Sequence, residues 1–444
     1  MCCHSQHALK WITTICLFLA FLAMGASFTA PCALAKRILA SSNTTANDIY
    51  WAFAARGIGI LLGAGAVGIG GCEGGCAGIV LGISLICIAT ATGLLPHAAS
   101  LAVLMLGFLI QGVAVGLVLT IGTALCIRIW GHTHASFLQF LYFALNIGTM
   151  VIPLMTLPKL LEGHHGTKNA TQQEAWIKTR WPTHARFISL YLLHIDMSEN
   201  AGFYFGAVGL VTCCVGLTLW VATCFYYSEG DSDDAGMEAA DVGCVEFVLC
   251  ALIAFFSATL AGLAESFGAY ISTFMLQNYD ASFTESVWIT FTFWGIICLS
   301  MLITAIIVRH VKPSYFLLIN ITVCSTAILV LQFTNLIPNY ENLVPWIGTC
   351  LFATGVSSTY AGIFSWVEAY IKCNVHVVAL IVFSQTCGTI LLQTLLSCVF
   401  QFEPMAIMYM TLVGIVLCDV TYILMEVTLS CRRLAGYDEI NKPL

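Results

Sequence analysis

EGDSDDAGMEAAD, residues 229–241, divides the chain. It holds six acids and no base, with glycines among them. Such a run cannot bury enough apolar surface to offset its chain entropy, so it reads as a solvated linker. Outward from it, in both directions, the sequence turns apolar. Runs of roughly 18 or more apolar residues recur, each long enough to cross about 30 Å of hydrocarbon as a helix. Six spans are expected before the linker, at 9–34, 49–71, 75–97, 99–129, 136–160 and 199–227. Six more follow it, at 243–275, 284–308, 313–337, 344–370, 375–400 and 404–430. The pattern predicts an all-α integral membrane protein of twelve transmembrane helices in two six-helix bundles. Such bundles face one cavity near the bilayer midplane and work by alternating access. The divisions are 1–228 for the first bundle, 229–242 for the linker, 243–431 for the second bundle and 432–444 for a short tail.

Composition agrees. Of 444 residues, 59% are hydrophobic and 9% charged, against about 25% charge in a soluble domain. Mean hydropathy is +0.91. The 16 Lys and Arg are scattered without a basic stripe, which argues against nucleic-acid binding. Most of the 21 cysteines lie inside apolar runs and read as small buried hydrophobes, not as a disulfide framework. Cys2, Cys3 and Cys431 flank membrane segments, where palmitoylation is chemically open. Lys10, an apolar core and Ala33-Leu34-Ala35 resemble a signal peptide. The apolar run is longer than a signal core, however, and reads as the first membrane helix.

Lys and Arg in short loops set the orientation. With the N-terminus inside, Arg309, Lys312, Lys372, Arg432, Arg433 and Lys442 all fall in the cytoplasm, as does the C-terminus. The glycosylation sequons at Asn43 and Asn169 then fall in outer loops, and a plasma membrane location is expected. A third sequon, at Asn320, lies inside a span and should be unused.

Ionisable and amide side chains inside spans are expensive, so they tend to face the protein interior or water. Glu265, Ala269 and Ser272 form a small, polar stripe on span seven that reads as cavity lining, or as a hydrogen-bonded packing device. Gln139, Tyr142, Asn146, Thr149 and Pro153 share one face of span five. Amides and hydroxyls at that spacing suit a neutral polyhydroxylated solute, and equally suit helix–helix hydrogen bonds. Gln385, Thr389 and Gln393 form a similar face on span eleven, and Gln111 lies mid-span in four. Glu368 stands four residues before Lys372, a spacing that favours an ion pair at the cytoplasmic end of span ten. The pair reads as a gate or structural device, with a coupling-ion or substrate ligand as the other reading. Arg56 is expected to snorkel to the outer interface or to pair with an acid. Gly59 and Gly63 read as close helix packing. Trp288, Trp294 and Trp366 read as an aromatic belt, with stacking on a sugar ring as the second reading. Asp419 has no assigned role. No nucleophile–base pair, phosphate loop or metal cluster is present in the pattern, so no enzyme is expected.

Several of these residues sit in familiar company. ARGIGILLG at 55–63, IWG at 129–131 followed by Gln139, Phe143, Gly148 and Pro153, AESFG at 264–268, FWG at 293–295 and SWVEAY at 365–370 followed by Gly388 resemble the sodium-dependent glucose transporter 1-like branch of the major facilitator superfamily. The resemblance covers nearly all spans. It implies the twelve-helix fold of that superfamily, carriage of a hexose such as glucose, and sodium as the coupling ion. The chain departs from the branch at Thr123, Tyr142, Met301 and Thr389 and near Ala35, where the branch has polar or charged residues. GGCEGGC at 70–76 replaces the superfamily's Asp and Arg between spans two and three.

The expected function is therefore secondary transport of a small neutral solute. Gln139, Tyr142, Asn146, Glu265, Ser272 and Gln385 are the candidate substrate ligands, and Glu368, Lys372 and Glu265 the candidate gating or coupling residues. Apart from lipid and solute, no cofactor or nucleic-acid partner is expected. The alternatives are a carrier of another small organic solute, and a non-transporting receptor or scaffold with the same fold.

Overall fold

The computed structural model describes residues 2–33, 49–72, 75–166, 201–230, 244–279, 281–332, 343–371, 373–400 and 402–434. Asn43, Asn169, Lys372 and most of the acidic linker lie outside them. The described chain forms twelve long helices, one of them in two pieces. They are α1 (Cys2–Ala33), α2 (Ile49–Gly70), α3 (Gly75–Leu94), α4 (Leu101–Trp130), α5 (His134–Gly166) and α6 (Ala201–Gly230). After the linker come α7 (Cys244–Asn278), α8 (Phe283–Ile307), α9 (Pro313–Gln332), α10a (Val344–Ser357), α10b (Thr359–Tyr370), α11 (Val375–Phe400) and α12 (Ala406–Leu434). Eleven stretches of the described residues are long and apolar enough to cross a membrane. The remaining long helix is α5, of whose far half only the backbone is described.

Local chemistry sets the ends. Ser282 and Glu285 form a reciprocal capping box at the start of α8, and Ser100 caps α4. The α4–α5 turn passes through Gly131 at φ 46°, which explains the glycine of Ile129-Trp130-Gly131. One span departs from expectation. Span ten is not continuous; it breaks at Ser358. Ser357 Oγ donates to the Thr354 carbonyl and Thr359 Oγ1 to the Gly355 carbonyl, each at 2.8 Å. Hydroxyls that bond back within a helix bend it. Ser358 Oγ instead leaves the helix and donates to Asn320 Oδ1 of α9 at 3.0 Å. Asn320 is buried within α9, as the unused sequon requires.

Large apolar side chains such as Ile58, Leu106, Phe255, Ile303, Leu391 and Ile423 point outward. In water they would be a liability; in lipid they are the solvated surface. With lipid outside, helix association depends on close packing more than on apolar burial. Glycines provide it. Gly59 and Gly63 of α2 interlock with Gly112 and Gly116 of α4, backbone against backbone. In the same way α1 crosses α5 at Gly25 and Gly148, and α7 crosses α11 at Gly262 and Gly388. α2 and α5 of the first bundle pack against α11 and α8 of the second.

Arg56 does not snorkel. It is buried, its Nη1 donates to the Phe28 carbonyl at 2.7 Å, and its guanidinium lies 3.7 Å from the Phe28 ring centroid. Phe53 and Phe108 complete an aromatic cage. Asp419 also has a partner: Ser325 Oγ of α9 donates to it at 2.9 Å.

Trp366 is fully buried, not in a surface belt. Its Nε1 donates to Glu426 Oε1 of α12 at 3.3 Å, and Ser314 Oγ of α9 donates to the same oxygen at 2.7 Å. Tyr370 joins through Ser314 at 2.9 Å, and Tyr422 donates to the Ser314 carbonyl at 2.9 Å. Arg432 donates to the Tyr370 carbonyl and pairs with Glu246 of α7 at 3.4 Å. The Trp and Tyr of Ser365-Trp366-Val367-Glu368-Ala369-Tyr370 thus tie α10b to α9 and α12 through a glutamate sixty positions away. Glu426→Ala should lower unfolding stability by about 1–3 kcal/mol, because two donors lose their acceptor. Glu426→Gln, which keeps an acceptor, should lose less; equal midpoints for both variants and the parent in thermal unfolding would refute the hub.

Candidate functional site

A narrow crevice, with no room for a water molecule, lies between α7, α10b and α11. Ser257, Leu260 and Ala261 line it from α7, Tyr360 and Ile363 from α10b, and Gln385 from α11. Tyr360 stands in the first turn of α10b, so the break at Ser358 sets its position. It lies about ten residues, or ~15 Å of helix rise, from the Tyr370 end. Gln385 is half-buried, and its Nε2 is buried without a hydrogen-bond partner. That unpaired donor at the crevice is what a polar solute would satisfy if the helices moved apart. Glu265 follows Ala261 by one helical turn, is half-buried, and lies within electrostatic reach of Tyr360. Ser272 is buried two turns further along α7 and is not among the lining residues.

The candidates on α5 meet the second bundle. Tyr142 is buried, stacks on Tyr360 at 6.2 Å and on Phe364 at 6.3 Å between centroids, and shares a 3.3 Å hydrogen bond with Thr123. Gln139 Nε2 donates across the bundles to the Ser358 carbonyl at 3.0 Å. Asn146 Nδ2 donates to the Tyr142 carbonyl at 2.9 Å and approaches Met301 Sδ of α8 at 3.5 Å. Thr123, Tyr142 and Met301, three of the positions where the chain departs from the family pattern, therefore gather around one place on the bundle seam. A second cross-bundle bond joins His376 Nδ1, at the start of α11, to the Gly68 carbonyl at the end of α2, at 2.9 Å. Gly71, at φ 57°, brings the α2–α3 turn against the same ring. The His376 bond lies toward the end of the bundles where α6 stops and α7 starts, the linker end, while the Gln139 bond joins the bundles at the mid-span break, level with the crevice.

Glu368 is half-buried at the linker end of α10b, within electrostatic reach of Cys373. It does not line the crevice. Its proposed partner Lys372 lies outside the described residues. Residue patterns did not single out Tyr360 or Ser257; they placed Ser358 on one face of span ten with Ala361, Ser365 and Glu368, but not at a break in the helix. The Ser357-Ser358-Thr359 run was the available signal, since back-bonding hydroxyls in mid-helix mark a bend.

No family model matches the chain. Among curated proteins, it is 22% identical over 292 residues to the sodium-dependent glucose transporter 1A of Mus musculus, covering 66% of this chain and 67% of that one. It is 22% identical over 456 residues to the major facilitator superfamily domain-containing protein 4A of Xenopus tropicalis, covering 90% and 89%. Among solved structures, the outward conformation of the major facilitator superfamily transporter FucP superposes with a TM-score of 0.65 at 12% identity, over 95% of this chain and 99% of that one.

Proposed function

From the major facilitator superfamily fold of this chain we infer that it is a secondary transporter, moving a small neutral solute by alternating access. A hexose is the cargo the site favours. The observation that carries the reading is the crevice, where an unpaired amide donor on Gln385 and the hydroxyl of Tyr360 converge from two helices next to an inter-bundle seam. The ring of Tyr360, held from behind by Tyr142, suits the apolar face of a sugar ring, and the amide and hydroxyls suit its rim. The crevice as it stands has no space for a solute, against the several hundred cubic ångströms usual for a bound small molecule. The seam must therefore shift to admit cargo, as alternating access requires. With the linker end cytoplasmic, the cross-bundle bond of His376 ties the bundles on the inner side, and that of Gln139 ties them level with the crevice. The names of the relatives, a glucose transporter among them, support the hexose.

Uptake of labelled glucose into proteoliposomes holding the purified protein tests this. Uptake above protein-free vesicles is expected. Gln385→Ala should raise KM about 2–10-fold, the effect of one lost hydrogen bond to a neutral ligand, at equal reconstituted protein. An unchanged KM would remove Gln385 from the site. No uptake by folded protein would reject glucose, and a thermal-shift screen of other small organic solutes would then separate a different carrier from a scaffold that binds none.

A further inference from the structure

We propose that Asp419 marks a docking face within the membrane, between α9 and α12, and that its partner is a transmembrane helix of another protein with a lysine or arginine at mid-span. The inference stands apart from the transport reading. Asp419 sits at the middle of the apolar stretch Ala406–Arg432, ~20 Å of helix rise from either end. Ionisable groups at that depth are costly and almost always face a bundle interior or a water-filled cavity. Glu426, two turns further along α12, follows the rule, with donors from α9 and α10b. Asp419 departs from it. It is half-buried, at the edge of a face of α12 that exposes Val416, Val420 and Ile423. Across the groove, α9 exposes Leu318, Thr322 and Thr326. The large apolar neighbours set this groove against lipid.

The hydrogen bonding of Asp419 is unfinished. Ser325 Oγ of α9 reaches its two carboxyl oxygens at 2.9 and 3.3 Å. A hydroxyl has one proton to give, whereas a carboxylate accepts at about four sites. Among the described residues no other hydrogen bond or ion pair meets Asp419, and in lipid no water supplies the rest. A lysine or arginine from a neighbouring helix brings several donors and the opposite charge at once. The surface also admits a helix. Thr322 and Thr326 stand one turn apart on α9, their hydroxyls turned back to the Leu318 and Val323 carbonyls at 2.8 Å. They therefore offer small side chains over which another backbone can approach closely. A second copy of this chain does not bring the charge. Among the described residues the exposed bases Lys10, Arg128, Arg309 and Lys312 stand at span ends, and Arg56 is caged.

A synthetic single-span helix tests this. A leucine–alanine peptide with one central lysine is reconstituted with the full-length protein in phosphatidylcholine vesicles. Energy transfer is read between a fluorophore on the protein C-terminus and one on the peptide. The lysine peptide should associate about 3–20-fold more tightly than its all-leucine counterpart, the range of polar contacts between membrane helices. Asp419→Asn should lose most of this preference and Asp419→Leu all of it. Both should keep at least the parental unfolding midpoint, because the carboxyl is tied to Ser325 alone. Ser325→Ala, which strips the carboxyl of its own donor, should keep or strengthen the preference. Loss of the preference in folded Ser325→Ala would make the pair a packing device and overturn the proposal. A folded parent that does not distinguish the two peptides would overturn it, as would an undiminished preference in Asp419→Leu. Self-association of the protein that disappears in Asp419→Leu would overturn the choice of partner in favour of a second copy.

Discussion

Gly388→Val will not yield a monodisperse folded protein. α7 and α11 cross at this residue with no room for a side chain: a Cβ would overlap the carbonyl of Ala258, with the Ala258 Cα at 2.7 Å. These are backbone atoms of a helix, which cannot turn aside as a flexible side chain can. The helices would have to separate along a contact that also holds Gly262 and the 2.8 Å Ser257–Ser384 hydrogen bond. Overpacking of an ordinary core costs about 1–3 kcal/mol, and more where the obstacle is rigid. Most small integral domains have only a modest reserve to absorb that. The same movement would distort the crevice, because Ser257, Ala261 and Gln385 line it from these two helices. Size-exclusion profiles of detergent extracts give the answer. A sharp monomer peak with the parental unfolding midpoint would show that the two helices do not approach this closely. Gly65, whose nearest neighbour across the seam is a Phe383 ring at 3.8 Å, is a suitable control for valine substitution.

Cutting both cross-bundle bonds at once, with Gln139→Leu and His376→Ala, should loosen the seam from mid-span to the linker end without unfolding either bundle. Each bond contributes about 0.5–1.5 kcal/mol to the closed arrangement. The two sites lie on different helix pairs, so their effects should nearly add. The closed-to-open ratio should then fall by roughly 5–150-fold. Leucine at 139 also removes a buried amide oxygen that has no partner, so the bundle itself should lose little stability. Hydrogen–deuterium exchange reports the opening. Peptides from the start of α5, the start of α10b, the end of α2 and the start of α11 should exchange faster, while α3 and α9 should not change. Uniform acceleration would mean global loosening, and no acceleration would mean that the bonds do not hold the seam.

Span count and glycine packing were legible from residue patterns because each has a local cause. Lipid demands long apolar runs, and close crossing demands a missing side chain. The site was legible only in part. Glu265, Gln385 and Tyr142 were found because polar groups inside a membrane stand out. Tyr360 does not stand out, since its placement depends on a bend made by three neighbouring hydroxyls and on Asn320 of another helix. Glu426 was invisible for a related reason: its partners Trp366 and Ser314 come from α10b and α9, and nothing in the spacing of one helix reports the other two. Arg56 was misread as snorkelling because three phenylalanines and a carbonyl hold its guanidinium inside the bundle, and no pattern in span two reports them.

The first helix of each half crosses the fifth helix of the same half at a glycine: Gly148 lies against the backbone of Leu22, and Gly388 against that of Ala258. The two halves are thus built on one plan, and the plan outlasts their differences in sequence. Engineering can exploit the correspondence. Whatever a side chain at Gly388 does to the second half, the same side chain at Gly148 should do to the first, so the halves serve as internal replicates of a single experiment. A pair of matched variants that disagreed would locate the half whose crossing helices have room to slide past one another.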